Sequence, residues 1–564
     1  MRFSTLLLVT GLSLAALPSL GAPTSADLPP ARPTATVRKH LIYFRDKANS
    51  PFSTTQPQAF LSARSIQRRT RQNISVQPRD LPVNPAYVAQ LKALPQAQLW
   101  YTSRWFNAAV VACDSTTLAS IQALPFVRGA VTLNRNQAGF RKRDPQPVVL
   151  PQEQRASPAD YGTAYDQANM IGAVAMHNAS FRGEGMQIAV FDAGFPGVDK
   201  IPAFESMRQE NRLASTFNFV DKVSDVYRRN DHGTNCLSTM GANQAGFFIG
   251  TAPKATYHLC ITEDIYSEHP VEEMNWLIAA EYADSAGVDV ISSSLGYNTF
   301  DQPSIDYTYA DLNGRTAIST RAAATAARVG MLVVNSAGNE GGSSWRYITA
   351  PADADSILTV GAVDASLRLA GFSSVGPTAD GRIKPNVVAQ GVQSAILTAS
   401  GAASRGNGTS FSCPIMAGMA AGFWQANRSL TAQQVISFLQ GSGSLAATPD
   451  NQFGYGLPNF VKAYNLANPG SPLSAAKAAE EQELAVFPNP SRGTELFVQL
   501  TPEFQNSPLS IRVVDARGAV VAVQQLPATT AAQVQLQPGP LAKGVYTCTI
   551  SSNKAQRSVR FVKM

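Results

Sequence analysis

Four side chains in the middle of this 564-residue chain can together do chemistry that none does alone. "NGTSFSCPIMAG", Asn407–Gly418, sets Ser410 between a Gly-Thr turn and a run of small and apolar residues that reads as a buried helix. A serine hydroxyl is a weak nucleophile near neutral pH, so it needs an imidazole to take its proton and an acid to hold that ring in the useful tautomer. Of the five histidines, His40, His177, His232, His258 and His269, His232 fits best. "NDHGTNCLSTMGA" places it at the start of a small-residue helix, where the ring can project into a cleft. Asp192 ends the apolar run "MQIAVFDAGF", and an acid there is costly to bury without a hydrogen-bond donor. Asn339, in "VVNSAGNEGG", sits among Gly338, Gly341 and Gly342, and its amide can donate to the negative oxygen formed when a serine attacks a carbonyl. Each residue also has a plainer reading: Ser410 as a helix N-cap, Asp192 as a cap for the next segment, His232 as a structural ring and Asn339 as part of a turn. No one of these plainer readings accounts for the other three residues.

The elements that must position the four are a set of alternating strands and helices between about Ala164 and Tyr464. "MQIAVFDAG", "ATYHLCI", "VDVISSSLG", "MLVVNSAGN" and "ILTVGAVD" read as strands with helix-like stretches between them, which predicts a parallel sheet with helices on both faces. In such sheets chemistry gathers at the carboxyl ends of the strands, where Asp192 and Asn339 fall. Pro414 is expected in the first turn of the Ser410 helix, and the backbone amide of Ser410 is placed to share an oxyanion with Asn339. Ser410 lies in Gly-Thr-Ser, and the chain has no Gly-x-Ser-x-Gly elbow around it, which argues against a lipase-like hydrolase.

The flanks have other compositions. Residues 1–22, with one arginine, an apolar run and small residues at the end, have the layout of a secretory signal. Residues 36–144 read as a small α+β unit: strand, basic helix "FLSARSIQRRTRQNI", strand "YTSRWFNAAVVACD", helix, strand. It ends at Arg141–Arg143 in a Pro- and Gln-rich stretch, either a processing region or a solvated charge run. The central unit is expected over residues 160–465, a linker over 466–484 and a β-sandwich of short alternating strands over 485–564. The net charge of +7 is uneven, because the first 144 residues hold 18 Lys and Arg against 5 Asp and leave the remainder at −6. A mildly acidic central unit excludes nucleic acid as the first partner to consider. The five cysteines form no CxxC pair and suggest neither a zinc site nor a disulfide scaffold. Cys236 with Cys260 is the one pair to test for a disulfide, and buried packing is the expectation for each.

"VFDAGF", "HGTNCLSTMGA", "SAGNEG" and "NGTSFSCPIMAG" together resemble the motifs of the subtilisin-like serine peptidases, the subtilases, with "GTAP" at Gly250, "ISSSLG" at Ile291 and "GYGLPN" at Gly454 at the expected intervals. The resemblance covers about 300 residues. It implies a subtilisin-like α/β fold and a secreted endopeptidase that cleaves peptide bonds through an acyl-enzyme. Asp192 would orient the ring, His232 act as general base and acid, Ser410 as nucleophile and Asn339 as oxyanion donor, with Ser294, Leu295 and Gly296 forming an edge for a peptide or protein substrate. Ala193, Asn235 and Cys236 depart from the usual pattern without removing a catalytic group, and Cys413 adds a thiol near the nucleophile. The chemistry would require no cofactor; structural calcium, frequent in the family, has no ligands that the sequence names. The front unit resembles an inhibitory pro-segment. "FPNPSRG", "DARG", "LAKGVY" and Lys563 make the tail similar to a C-terminal sorting domain of the type IX secretion system of Bacteroidetes, which implies export across the outer membrane. With no acidic wall evident, an apolar or broad P1 preference is expected. The rival readings are a catalytically silent adhesive subtilase and an esterase or amidase on the same fold.

Overall fold

The computed structural model describes residues 36–133, 160–473, 485–491, 495–531, 533–553 and 555–564. The signal stretch, Arg141–Arg143 and most of the linker lie outside the described residues. At the centre is a seven-stranded sheet. Its order runs Val387–Gln390, Leu358–Val363, Leu332–Ser336, Val290–Ser293, Gln187–Asp192, Thr256–Ile261, Leu213–Asn218, and every pairing is parallel. The apolar runs become strands because both faces of a parallel sheet are covered, so successive side chains all need burial. Ile188 and Val190 turn into one core, while their neighbours Ala189 and Phe191 turn into the other. The first core is closed by the helices His232–Gly241 and Thr409–Ala426, the second by Val271–Ala286 and Ile318–Arg328. The two strands that the sequence reading lacks, Leu213–Asn218 and Val387–Gln390, are the two edges of the sheet, one half-exposed and polar, the other only four residues long.

In the front unit a four-stranded antiparallel sheet, Gln98–Ser103, Ala108–Cys113, Arg38–Phe44, Val127–Thr132, carries the helices Pro85–Lys92 and Ser115–Gln122. The expected single strand through "YTSRWFNAAVVACD" is a hairpin instead, turned at Arg104–Asn107 with Asn107 at φ 50°, where asparagine tolerates the left-handed conformation. The basic helix, Ala63–Arg71, is separate from this sheet. Leu41, Trp105, Phe106, Val110 and Leu133 of the front unit complete the core formed with Val271–Ala286, so the front unit covers that helix. The C-terminal unit is a β-sandwich of a three-stranded and a four-stranded antiparallel sheet around Val498, Ile511, Val513, Cys548, Ile550 and Phe561. Among the described residues no helix is long and apolar enough to cross a membrane.

Trp276 shows how the second core reaches toward the chemistry. It is fully buried, meets Phe191 edge-on with ring centroids 5.3 Å apart, and donates its indole N–H to Ser293 Oγ at 3.0 Å. Trp276→Ala removes that bond and opens a large cavity, so we expect a loss of about 3–5 kcal/mol of stability, read from urea unfolding by circular dichroism.

Candidate active site

Asp192 closes the central strand Gln187–Asp192 and is fully buried. Its Oδ1 accepts the Ala193 amide at 2.8 Å and lies 2.8 Å from His232 Nδ1. His232 opens the helix His232–Gly241, with its own amide held by Asn230 Oδ1 at 2.7 Å, and its side chain keeps 22% of its surface exposed. The approach of helix to strand depends on Gly233: a Cβ there would stand 2.4 Å from the Gly194 carbonyl oxygen and 2.9 Å from Asp192 Cβ. Thr234 then fastens the helix by donating to the Pro196 carbonyl at 2.7 Å. Burial opposes a charge on the His232 ring, but the Asp192 carboxylate outweighs it and raises the pKa well above the ordinary 6.5.

Ser410 is the second residue of the helix Thr409–Ala426 and is 9% exposed. Pro414 is not in the first turn, as the sequence reading had it, but one turn deeper as the sixth helical residue. There its missing N–H leaves the Ser410 carbonyl without its intrahelical donor. Two side chains from elsewhere take that place: Ser294 Oγ donates at 2.8 Å and the Cys236 thiol at 3.2 Å. Cys236 lies one turn after His232, with its sulfur 3.8 and 3.9 Å from the two ring nitrogens, and the Phe411 ring comes within 6.0 Å of the imidazole, centroid to centroid. The nucleophile-candidate helix, the histidine helix and the Ser294–Gly296 segment therefore meet at one carbonyl.

Asn339 lies exposed in the loop after Leu332–Ser336. Its Oδ1 accepts both the amide and the hydroxyl of Thr409, at 2.9 and 3.0 Å, which turns the NH2 end of the amide away from Thr409. Ser294, Leu295 and Gly296 follow the strand Val290–Ser293; the Leu295 carbonyl is held by Asn335 Nδ2 at 3.1 Å, and a Cβ on Gly296 would meet Thr349 Oγ1 at 2.1 Å. Sequence reasoning missed Cys236 as a neighbour of the imidazole and Thr409 as the residue that orients Asn339; for Thr409 the available signal was its position directly before the serine. All five cysteines are free, so Cys236 and Cys260 form no disulfide. Cys413 points into the core toward the carbonyls of Ser293 and Val334, and Cys236 is the thiol at the imidazole. Among the described residues Glu263, Glu268 and Glu272 bring three carboxylates together. Glu263 also accepts the Tyr297 hydroxyl, and Glu272 accepts the amides of Asp264 and His269, so these carboxylates are already engaged within the protein.

A parallel α/β sheet with a carboxylate, an imidazole and a serine-bearing helix at its carboxyl edge is the architecture of a serine hydrolase. Comparison with known proteins narrows the class. Residues 39–146 match the Peptidase S8 propeptide domain of Bacteroidota, residues 183–456 the subtilase family and residues 485–564 the secretion system C-terminal sorting domain. Subtilisin NAT of Bacillus subtilis subsp. natto is 29% identical over 331 residues, covering 58% of this chain and 77% of the relative. Subtilisin of Bacillus pumilus is 29% identical over 300 residues, and Subtilisin Savinase of Lederbergia lenta 28% over 295; each match covers 52% of this chain and 96% of the relative. The central unit is a subtilase domain, the domain of the subtilisin-like serine peptidases, and the tail marks the chain for secretion by the type IX system.

The raised pKa of His232 ties stability to pH. The folded chain favours the charged ring, so this contribution is fully present below the ordinary value of 6.5 and is lost as pH rises through the raised value. Asp192→Asn should flatten that dependence, checked by comparing urea midpoints of the two proteins at several pH values on either side of about 6.5.

Proposed function

We propose that Asp192, His232 and Ser410 form a catalytic triad, with Asn339 as oxyanion donor, in a secreted endopeptidase that works through an acyl-enzyme. The observation that carries this reading is the buried Asp192 carboxylate held 2.8 Å from His232 Nδ1, which leaves Nε2 as the ring nitrogen free to serve as base. Ser410 Oγ attacks the scissile carbonyl carbon as its proton passes to His232 Nε2. The carbonyl oxygen becomes an oxyanion, met by the Asn339 NH2 and the Ser410 backbone N–H at the helix N-terminus. Collapse of the tetrahedral adduct breaks the C–N bond, and the imidazolium gives its proton to the departing amine. Water, deprotonated by the same nitrogen, then attacks the ester and releases the acid, restoring Ser410. No cofactor enters these steps.

The substrate backbone adds as a strand along Ser294–Gly296, which the Asn335 amide and the Thr349 contact hold in place. Because a base must be neutral to work, the raised pKa of His232 puts the acid limb of kcat/KM on the alkaline side of 6.5. Residues 1–22 act as signal, 36–144 as inhibitory pro-segment, 160–465 as peptidase, 466–484 as linker and 485–564 as the domain that engages the type IX machinery before release or surface attachment.

A fluorophosphonate should label the processed enzyme on Ser410, located by mass spectrometry, and Ser410→Ala should remove both label and peptide hydrolysis. Labelling elsewhere, or undiminished turnover after the substitution, overturns the assignment. Asn339→Ala should lower kcat by about 10²–10³-fold with KM little changed. Thr409→Val, which removes one of the two hydrogen bonds that orient the Asn339 amide and leaves the backbone one, should lower kcat in the same direction by less.

A further inference from the structure

The helix Ala63–Arg71 belongs to neither the front sheet nor its two covering helices; its arginines reach the peptidase unit, and Arg69 also pairs with Asp80 of the front unit at 3.2 Å. Asp284, in the last turn of the helix Val271–Ala286, is fully buried. Its carboxylate meets Arg68, Arg69 at 2.7 Å and Arg104 at 2.6 Å. Among the described residues these ion-pair partners all come from the front unit. Beside it Asp289, also buried, pairs with Arg64. The same guanidinium groups cap the end of the peptidase helix: Arg64 Nε donates to the Gly287 carbonyl at 2.9 Å and Arg68 Nη1 to that of Val288 at 2.6 Å. Cations there face both the negative end of the helix and its unpaired carbonyls. Glu281 completes the socket by accepting the amides of Arg104 and Trp105 and the hydroxyl of Ser103. Gln72, just past the basic helix, donates to the Gly330 carbonyl at 2.7 Å and accepts the Ala432 amide at 2.9 Å.

The place of this socket matters. Asp289 precedes Val290–Ser293, Gly330 lies two residues before Leu332–Ser336, and Asp289 Oδ2 also accepts the amide of Gln187, the first residue of Gln187–Asp192. The arginine helix thus lies across the amino ends of three central strands. The Asp192, Ser294 and Asn339 positions lie at the carboxyl ends, about 16 Å away for a six-residue strand.

We infer that Ala63–Arg71 is a latch that locks the pro-segment onto the peptidase through the Asp284–Asp289 socket, independently of the catalytic cleft. After the junction is cut, the pro-segment stays bound, and the enzyme stays latent, until the socket is vacated. The inference rests on the reading of the front unit as an inhibitory pro-segment. The physical reason is the cost of separating these ions one side at a time. Together the guanidinium groups and carboxylates neutralise each other out of water, but removing one partner leaves the others buried and uncompensated. Burial by itself would raise the Asp284 pKa, yet Arg104, Arg68 and Arg69 hold it below the usual carboxylate range, in keeping with an acid kept charged by its partners.

The test uses the full chain and reads two quantities. Retention of the cut pro-segment on the peptidase is measured by native mass spectrometry, and latency by hydrolysis of a fluorogenic peptide. Wild type should keep the cut segment and show a lag. Asp284→Asn on the peptidase side and Arg68→Gln on the pro-segment side should each speed its release on the order of 10²-fold. Retention unchanged in both variants overturns the latch. If the variants fail to fold, hydrogen exchange on the uncut Ser410→Ala chain decides: residues 62–72 and 281–289 should be protected together, and free exchange of 62–72 overturns the proposal. A cut segment that stays bound to a fully active wild-type enzyme overturns the inhibitor reading and the latency drawn from it, but leaves the anchor standing.

Discussion

The site is organised by one buried carboxylate. Asp192 sits at the carboxyl end of a strand with sheet on both sides, and a charge in that position must be met by donors within hydrogen-bond reach. It is met by the Ala193 amide and by His232 Nδ1. Meeting it brings a helix end to the strand end at a distance that only glycine at 233 permits, and it engages Nδ1 rather than Nε2 of the ring. The rest of the histidine helix follows from that contact, including the placement of Cys236 against both the imidazole and the Ser410 carbonyl.

Much of the sheet was legible in the sequence, because five of its strands are apolar runs that a doubly covered parallel sheet requires. Leu213–Asn218 was not, since a polar edge strand carries little periodic signal and owes its conformation to pairing with Thr256–Ile261. The front hairpin was read as one strand because the turn Arg104–Asn107 contains neither Gly nor Pro, only an asparagine with positive φ. For the candidate site, Asp192 and His232 were named from the sequence, and the structure sets them 2.8 Å apart. The second layer was not legible. Thr409 on Asn339 and Ser294 on the Ser410 carbonyl depend on distances between segments far apart in the chain, which spacing does not encode. Pro414 is plain in the sequence, but its depth in the helix, and with it the freed Ser410 carbonyl, depends on where the helix begins.

The basic front segment illustrates the same limit. Its charge was plain in the composition, but Arg68 and Arg69 are buried against Asp284 rather than solvated. An excess of positive charge that suggests an external anionic partner can thus be complementary to an acid in the same chain. The uneven split between a basic front and a mildly acidic remainder is the composition-level trace of that interface.

The oxygen left free by Pro414 also bears on motion. Because the Ser410 carbonyl is gripped by the hydroxyl of Ser294 and the thiol of Cys236, segments 116 and 174 residues before Ser410 share one of its atoms as a common origin. Displacing any one of them therefore strains a hydrogen bond to another. A helix with an unbroken hydrogen-bond ladder would have bound that oxygen to its own amide at position 414 and left less of it for the two side chains.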